Sequence, residues 1–124
     1  MALKEKILVV DDEPSIRKYL QTLLEVDGFA VETVSSGKEA IAKVSAGERP
    51  DFIILDVLMP DMNGLEVQTC LRRDSPETRI IFITGREDPS IRQAALDAGA
   101  FGFLAKPFED EVLVQLVTKA LLPR

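Results

Sequence analysis

The segment Phe52-Ile53-Ile54-Leu55-Asp56 places four consecutive apolar residues directly before a carboxylate. A short, uniformly apolar run of this kind predicts a strand that is buried on both faces, as in the interior of a parallel sheet. The run ends at Asp56, because the next residues, Met59-Pro60-Asp61-Met62-Asn63-Gly64, are rich in residues that break strands. The segment therefore predicts a central strand with an acid at its carboxyl end.

A second apolar run, Ile7-Leu8-Val9-Val10, also ends in acids, here Asp11, Asp12 and Glu13. In open parallel sheets, ligands bind in the crevice beyond the carboxyl ends of the strands. We therefore expect the two strands to direct several carboxylates into one pocket, and such a pocket suggests chemistry.

The composition indicates one globular domain and excludes several kinds of site. The chain has 124 residues, a net charge of −6 at pH 7 and no histidine, so it offers no histidine metal ligand, no Ser-His-Asp triad and no phosphohistidine. The acidic balance argues against unaided binding to nucleic acid or to an anionic membrane. A single cysteine, Cys70, excludes an internal disulfide and fits a reducing cytosol. No run approaches the ~20 apolar residues of a membrane span, so we expect a cytoplasmic protein.

Strand-like and helix-like segments alternate five times, which predicts an α/β sheet with crossover helices. The second strand is the most polar and should lie at an edge, whereas the first, third and fourth are the most apolar and should be central. Right-handed crossovers then favour the strand order 2-1-3-4-5. We thus expect one doubly wound, five-stranded parallel sheet with five helices. We also expect a single domain over residues 1–124, with its core at about 5–122 and no output domain in this chain. The predicted strands are residues 7–10, 31–34, 52–56, 80–83 and 101–105.

Caps and apolar faces predict the helices between these strands. Ser36 and Glu39 form a capping-box pattern for the second helix, and Asp88-Pro89 is a start signal for the fourth. The inward face of the fourth helix is mostly alanine, so this helix should bury little area and be the least firmly held. The inward residues are predicted to be Val67, Cys70 and Leu71 in the third helix, and Ile91, Ala94, Ala95 and Ala98 in the fourth.

Along the chain, the strand ends carry Asp11 and Asp12, then Asp56, then Thr84, then Lys106. Two carboxylates about 4 Å apart repel by about 4 kcal/mol at an effective dielectric near 20, so a divalent cation is the natural compensation. Mg²⁺ takes one or two carboxylates and shares its other positions with phosphate oxygens. Together with the Lys106 ammonium group, these carboxylates favour a pocket that receives a phosphoryl group, whose transfer depends on positioning and charge stabilisation.

Four motifs, in order and at matching strand ends, resemble the receiver domains of bacterial two-component response regulators. The likeness implies the flavodoxin-like receiver fold and a phosphoacceptor function in a Mg²⁺-dependent phosphorelay that switches a partner or dimer interface. It implies self-phosphorylation and autodephosphorylation of an aspartate rather than turnover of an external substrate, so the chain is not expected to be an enzyme in that sense. The motifs are Val9-Val10-Asp11-Asp12-Glu13, Leu55-Asp56-Val57-Leu58-Met59-Pro60, Thr84-Gly85 and Phe103-Leu104-Ala105-Lys106-Pro107-Phe108.

Carried over residue by residue, this resemblance gives the phosphoryl-binding side chains their roles. Asp56 is the phosphoacceptor, which forms an acyl phosphate. The Thr84 hydroxyl and the Lys106 ammonium group each contact a phosphate oxygen. The Lys106–Pro107 bond is expected to be cis, which aims the lysine into the pocket.

The same resemblance implies a metal site. Asp12 and Asp56 hold Mg²⁺ directly, the backbone carbonyl of Leu58 is a third ligand, and Asp11 acts through water. Mn²⁺ is expected to substitute for Mg²⁺.

The resemblance also implies a switch and a set of partners. Phe103 stands where the family keeps an aromatic switch residue, often tyrosine. Because phenylalanine has no hydroxyl, we expect its switch to act through packing of the ring rather than through a hydrogen bond. The face of the fourth helix, fifth strand and fifth helix is the expected output surface, read by a partner or by a second copy of the chain as a homodimer. The phosphoryl donor is a sensor histidine kinase or a histidine phosphotransfer protein. Direct contact with nucleic acid or membrane is not expected.

Two alternatives remain open from the residues. Taken singly, Asp12 is also a helix cap, Thr84 a strand-end hydroxyl and Lys106 a surface lysine. A haloacid-dehalogenase-like phosphatase also combines an aspartate nucleophile with Mg²⁺, a hydroxyl and a lysine. That family requires an Asp-x-Asp motif after its first strand and a cap insertion, whereas this chain has Asp11-Asp12-Glu13 and no such insertion.

Overall fold

The computed structural model describes residues 5–85 and 88–121. Within these ranges five strands and five helices alternate along the chain, as the sequence predicts. The strands are β1 (Lys6–Val10), β2 (Ala30–Val34), β3 (Phe52–Asp56), β4 (Arg79–Thr84) and β5 (Gly102–Ala105). The helices are α1 (Pro14–Val26), α2 (Gly37–Ser45), α3 (Gly64–Asp74), α4 (Pro89–Asp97) and α5 (Asp110–Ala120). None of the described helices is long and apolar enough to cross a membrane.

The described strands form one parallel sheet in the order β2-β1-β3-β4-β5, which confirms the predicted order and the doubly wound α/β fold. In the register, Asp56 of β3 lies opposite Ile83 of β4, and Thr84 of β4 lies opposite Ala105 of β5. Neighbouring strands therefore end at nearly the same level. Because the strands are parallel, the polar residues that follow them collect along one edge of the sheet.

Helices cover both faces of the sheet, which explains why its central strands are so uniformly apolar. α1 and α5 pack on one face of the sheet. Leu20 and Leu24 of α1 share a buried cluster with Ile7 and Val9 of β1, and α5 adds Leu113 and Val117 to this cluster. α2, α3 and α4 cover the other face. All five residues of β3 are buried, so Asp56 ends a strand with no solvent-exposed residue. The buried side chains of β3 and β4 are Phe52, Ile53, Ile54, Leu55, Ile80, Ile81, Phe82 and Ile83.

The predicted helix starts at α2 and α4 are confirmed, with one change in partner. The Ser36 hydroxyl accepts a hydrogen bond from the Glu39 N–H at 3.2 Å. The Glu39 carboxylate accepts from the Ser35 N–H at 3.3 Å, one residue before the cap, so the return bond of the capping box is displaced. At α4 the Asp88 carboxylate accepts from the Ser90 N–H at 2.9 Å, which satisfies a first-turn donor.

The inward face of α3 differs from the prediction at one position. Val67 and Leu71 are buried as expected, but Cys70 is only partly buried, and Gln68 is 1% exposed instead. With 3.6 residues per turn, residues 67, 68 and 71 lie within about 100° of one another and form one face of the helix, whereas residue 70 lies about 60° beyond that face. The polar Gln68 is therefore the third inward residue of α3, in place of the apolar Cys70 that was predicted.

The inward face of α4 is narrower than predicted. Ala95 is buried and Ile91 is partly buried, but Ala94 and Ala98 are exposed. Ile91 and Ala95 are four residues apart and share one line along the helix, whereas Ala94 and Ala98 share a line about 100° away. The described part of α4 therefore buries even less apolar area than its alanine content suggests.

Candidate functional site

The candidate site lies where β1, β3, β4 and β5 end. Asp11 and Asp12 follow β1, and Asp56 is the last residue of β3. Thr84 is the last residue of β4, and Lys106 follows β5 directly. The structure thus brings together all five residues that the sequence predicts as the polar part of the pocket.

Three carboxylates form a tight cluster in this pocket. Asp11, Asp12 and Asp56 each offer one oxygen, and these oxygens all lie within 4.8 Å of one another. Asp11 is fully buried and Asp56 is 4% exposed, whereas Asp12 is the most solvent-accessible of the three. Hard cations such as Mg²⁺ prefer carboxylate oxygens and keep several waters. The donor set and the partial exposure of Asp12 therefore fit a hydrated divalent cation.

Lys106 supplies the positive charge of the cluster. Its Nζ lies 3.1 Å from Asp11 Oδ2 and 3.7 Å from Asp56 Oδ2. A contact that the sequence analysis left out is Glu13 Oε1, 3.8 Å from the same nitrogen. The Lys106–Pro107 bond is cis, as expected. The Lys106 N–H donates to the Thr84 carbonyl at 2.7 Å, so the lysine is held against the end of β4.

The electrostatics of the cluster are unbalanced in the metal-free chain. Burial, and after it the negative charge of Asp11, raise the pKa of Asp56 from 3.8 to a net value of about 6, although the positive charge of Lys106 acts to lower it. Burial lowers the pKa of Lys106, but the hydrogen bond to Asp11 and the charges of Asp56, Asp11 and Glu13 outweigh it and raise the net value above 10.5. The Lys106 charge therefore offsets only part of the repulsion among the carboxylates, so a further cation in the pocket would be stabilised.

The turn after β3 holds the backbone close to Asp56. The Leu58 N–H donates to Asp56 Oδ1 at 3.3 Å, and Leu58 pairs with Asn63 in an antiparallel bridge. A Cβ at Gly64 would lie 2.8 Å from the Asp56 carbonyl oxygen and 2.8 Å from Val57 Cα. Because both of these atoms belong to the backbone, glycine is required at this position. The turn therefore places the Leu58 N–H beside the Asp56 carboxylate.

Thr84 and Phe103 lie deeper in the structure. Thr84 is 1% exposed, and Phe103 is 9% exposed. The Phe103 ring packs at 6.2 Å from the Phe82 ring in a tilted arrangement and belongs to the same apolar cluster as Ala95 of α4. The aromatic side chain at the predicted switch position therefore points into the interior in this structure, next to the helix of the proposed output surface.

Asp61 lies in the strand-breaking segment after Asp56, and its side chain contacts a distant helix. Its carboxylate accepts hydrogen bonds from the Gly37 N–H at 3.3 Å and the Lys38 N–H at 3.1 Å. Burial acts to raise the pKa of Asp61, but the backbone bonds from Lys38 and Gly37 prevail and lower it. Asp61 thus ties the turn after Asp56 to the N-terminus of α2. The sequence carried no signal for this contact, since its partners are 23 and 24 residues away.

The model of the response regulator receiver domain family matches residues 7–118 of the chain. This chain belongs to the response regulator receiver family. The response regulator MprA of Mycolicibacterium vanbaalenii is 43% identical over 119 residues, which is 96% of this chain and 51% of that protein. This receiver domain therefore spans about half the length of the curated relatives that it matches.

Solved structures give the same result for this receiver domain. The chemotaxis protein CheY4 of Vibrio cholerae is 37% identical, with a TM-score of 0.88, and the match covers 96% of this chain and all of that one. A response regulator from Burkholderia pseudomallei, solved with a phosphorylated aspartic acid, a calcium ion and citrate, is 29% identical with a TM-score of 0.85, over 94% and 69% of the two chains. None of these proteins is a phosphatase of the haloacid-dehalogenase family, so that alternative gains no support.

Proposed function

We propose that Asp56 of this receiver domain accepts a phosphoryl group from the phosphohistidine of a sensor kinase or phosphotransfer protein. The observation that carries this proposal is the placement of the buried Asp56 carboxylate among Asp11, Asp12 and Lys106. A carboxylate oxygen of Asp56 attacks phosphorus, and the phosphorus–nitrogen bond of the donor breaks with its electron pair left on the imidazole. The histidine must belong to a partner, because this chain has none.

Lys106 and Thr84 are suited to stabilise the transferred group. Lys106 Nζ already lies between Asp11 and Asp56, so it can follow the negative charge as that charge moves onto the phosphoryl oxygens. The Thr84 side chain lies at the adjacent strand end, where its hydroxyl can donate to a second phosphoryl oxygen. Hydrolysis of the resulting acyl phosphate returns Asp56 to its starting state, so the reaction is a self-modification without turnover of an external substrate.

The same pocket is proposed to bind Mg²⁺, with Mn²⁺ as a substitute. Asp12 and Asp56 are the direct side-chain ligands, the Leu58 carbonyl is the backbone ligand, and Asp11 acts through water. When bound, Mg²⁺ supplies two positive charges that offset the carboxylate repulsion and polarise phosphoryl oxygens. The calcium ion and phosphorylated aspartic acid of the Burkholderia relative support this assignment.

Reaction with a small phosphodonor distinguishes this function from that of a phosphatase. Incubation with acetyl phosphate or phosphoramidate and Mg²⁺ is expected to give one acid-stable, base-labile acyl phosphate per chain, measured by intact mass. Sustained release of phosphate from an unrelated phosphomonoester, with no stable adduct, would contradict the proposal. Transfer from a phosphorylated kinase then tests the proposed natural donor. We propose the cytoplasm as the compartment of this reaction.

Replacing Asp12 with alanine is expected to weaken Mg²⁺ binding at least about tenfold, because one direct carboxylate ligand is lost. The metal-free variant should be as stable as the wild type or more so, since one charge leaves a repulsive cluster. Calorimetric titration with Mg²⁺ and thermal unfolding at several Mg²⁺ concentrations measure both effects. Asp27→Ala is the matched control, because Asp27 is exposed at the end of α1. An unchanged Mg²⁺ titration for Asp12→Ala would exclude this site.

The proposed output surface is the face of α4, β5 and α5. A phosphoryl group on Asp56 would draw the Thr84 hydroxyl toward it and leave space into which the Phe103 ring can move. Since α4 buries little apolar area, its displacement costs little, and a partner or a second copy of the chain can read the altered face.

Addition of beryllofluoride, which mimics the phosphoryl group, is expected to change the NMR chemical shifts of α4 and of Phe103 as well as those of the pocket. The change should appear as a shift between two populations. Asp56→Asn with the same additives is the control for non-specific effects. Shifts confined to the loops around Asp56, with α4 and Phe103 unchanged, would argue against this output surface.

A further inference from the structure

The C-terminal end of α4 is closed by its own backbone. Gly99, with φ of 98°, donates its N–H to the Leu96 carbonyl, and the Ala100 N–H donates to the Ala95 carbonyl, both at 3.0 Å. These two bonds form a Schellman motif, in which glycine supplies the left-handed residue. The motif leaves the carbonyls of Ala98 and Gly99 without helical donors, so they are open to donors from elsewhere.

Gln68 of α3 reaches this end of α4 from the interior. Its side chain is 1% exposed, and its amide Nε2 donates to the carbonyls of Ala95 at 3.3 Å and Ala98 at 3.4 Å. The two carbonyls lie one turn apart, so a single amide group spans the last turn of α4. The side-chain amide of the buried Gln68 therefore links α3 to the C-terminal end of α4.

Arg72, one turn further along α3, contacts the same end of α4. Its Nη2 donates to the Gly99 carbonyl at 2.5 Å, while Nη1 donates to the carbonyls of Pro76 and Thr78. The guanidinium group thus connects the end of α4 to the loop between α3 and β4. Residues four apart on a helix lie on one face, so Gln68 and Arg72 act on α4 from adjacent turns.

We propose that Gln68 and Arg72 form a polar anchor that fixes the C-terminal end of α4 to α3 and makes this end the pivot of the helix. The anchor matters because Ala95 is the one fully buried residue of the described α4, so apolar packing alone holds the helix weakly. Carbonyl contacts at one end then determine where α4 can move. The nine residues of α4 span about 13 Å, so a tilt of about 10° around the anchor displaces the N-terminal end by about 2 Å.

A second observation indicates that the anchor is not an optimised packing contact. Gln68 Oε1 is buried and has no hydrogen-bond partner among the described residues. An unsatisfied buried acceptor costs free energy that an apolar side chain of similar size would avoid. The buried, unpaired Oε1 of Gln68 thus lowers the stability of the fold, and only the two hydrogen bonds that Nε2 donates to α4 oppose this cost. This pattern is typical of a residue that positions a neighbouring element rather than one that stabilises the core.

The consequence for signalling rests on the proposed function. The N-terminal end of α4 follows the strand end that carries Thr84, so a pivot at the opposite end directs motion of the helix to the side near the proposed phosphoryl site. The anchor itself exists in the unmodified chain. The anchor can therefore be tested without phosphorylation. If the anchor fails its test, the phosphoacceptor function of Asp56 can still be measured, and the reverse also holds.

Gln68→Met tests the anchor, because methionine has nearly the same size but cannot donate. Amide hydrogen exchange by NMR on the unmodified chain should show the amides of Ala98, Gly99 and Ala100 exchanging about tenfold faster than in the wild type. The amide of Arg92, bonded to the Asp88 carbonyl at 3.0 Å, should change much less. The midpoint of global unfolding should stay the same or rise.

Two further variants complete the experiment. Arg72→Met should accelerate exchange at Gly99 and Ala100, and Arg73→Met is the matched control, since Arg73 is the adjacent, exposed arginine of α3. If Gln68→Met does not fold, Arg72→Met alone decides. Unchanged exchange at residues 98–100, or an equal acceleration along the whole of α4, would overturn the proposal.

Discussion

Asp56→Asn is expected to lose all measurable incorporation of a phosphoryl group, both from acetyl phosphate and from a phosphorylated kinase. An asparagine amide has nearly the same shape as the carboxylate but lacks a nucleophilic oxygen with a full negative charge, so no acyl phosphate forms. Intact mass spectrometry after incubation with Mg²⁺ and the donor measures the effect. Because the variant keeps the size of the side chain, the fold should remain intact, and circular dichroism checks this.

Asp27→Asn is the matched control, because it makes the same chemical change at an exposed residue outside the cluster. This variant should incorporate one phosphoryl group at the wild-type rate. A stoichiometric adduct on Asp56→Asn would move the acceptor to another residue, with Asp11 and Asp12 the first to be examined by peptide mapping.

The positions of the strands could be predicted because local sequence determines them strongly. An apolar run such as residues 52–55 has one stable location, a strand covered on both faces, and the acid at its end must then lie at the sheet edge. Once strand order is restricted by right-handed crossovers, Asp12, Asp56, Thr84 and Lys106 are brought together with few alternatives. The site was therefore largely predictable, since each of its residues is attached to the end of a strand.

The side chains that link one element to another could not be predicted in this way. Gln68 is polar and lies between apolar residues of α3, so its spacing gives no reason to bury it, and its partners Ala95 and Ala98 are 27 and 30 residues away. Asp61 likewise is a residue type typical of turns, but its carboxylate accepts hydrogen bonds from the first N–H groups of α2. Such contacts depend on how helices settle against the sheet, and that geometry is absent from any local pattern.

The second large effect concerns pH in the absence of metal. Burial and the neighbouring charge of Asp11 raise the folded pKa of Asp56 from 3.8 to about 6, so the folded chain binds this proton more tightly than the unfolded chain does. The contribution to stability is thus fully present below about pH 4, is lost as the pH rises to about 6, and stays lost above that value. At about 1.4 kcal/mol for each pH unit between the two pKa values, the loss is on the order of 3 kcal/mol.

Asp56→Asn has no charge to lose at this position, so the comparison of the two proteins isolates the effect. In EDTA, the wild type and the variant should unfold at similar temperatures near about pH 4, whereas at about pH 7.5 the variant should unfold at a temperature higher by about 10 °C. Carboxylates outside the cluster titrate in both proteins and cancel in the difference. A constant difference between the two proteins across this range would mean that the Asp56 carboxylate is not destabilised by its surroundings.

Mg²⁺ is expected to reverse the sign of this pH dependence, which would tie the ionisation of Asp56 to the proposed metal site. A cation binds the ionised carboxylate and not the protonated one, so saturating Mg²⁺ should stabilise the wild type strongly at about pH 7.5 and weakly at about pH 4.5. Asp56→Asn should show a much smaller response at both values, because one ligand has lost its charge. The carboxylate cluster that destabilises the metal-free chain at neutral pH is also the proposed cation site. At that pH Asp56 is ionised, so the repulsion between Asp11 and Asp56 is expected to be relieved by positive charge that enters the pocket.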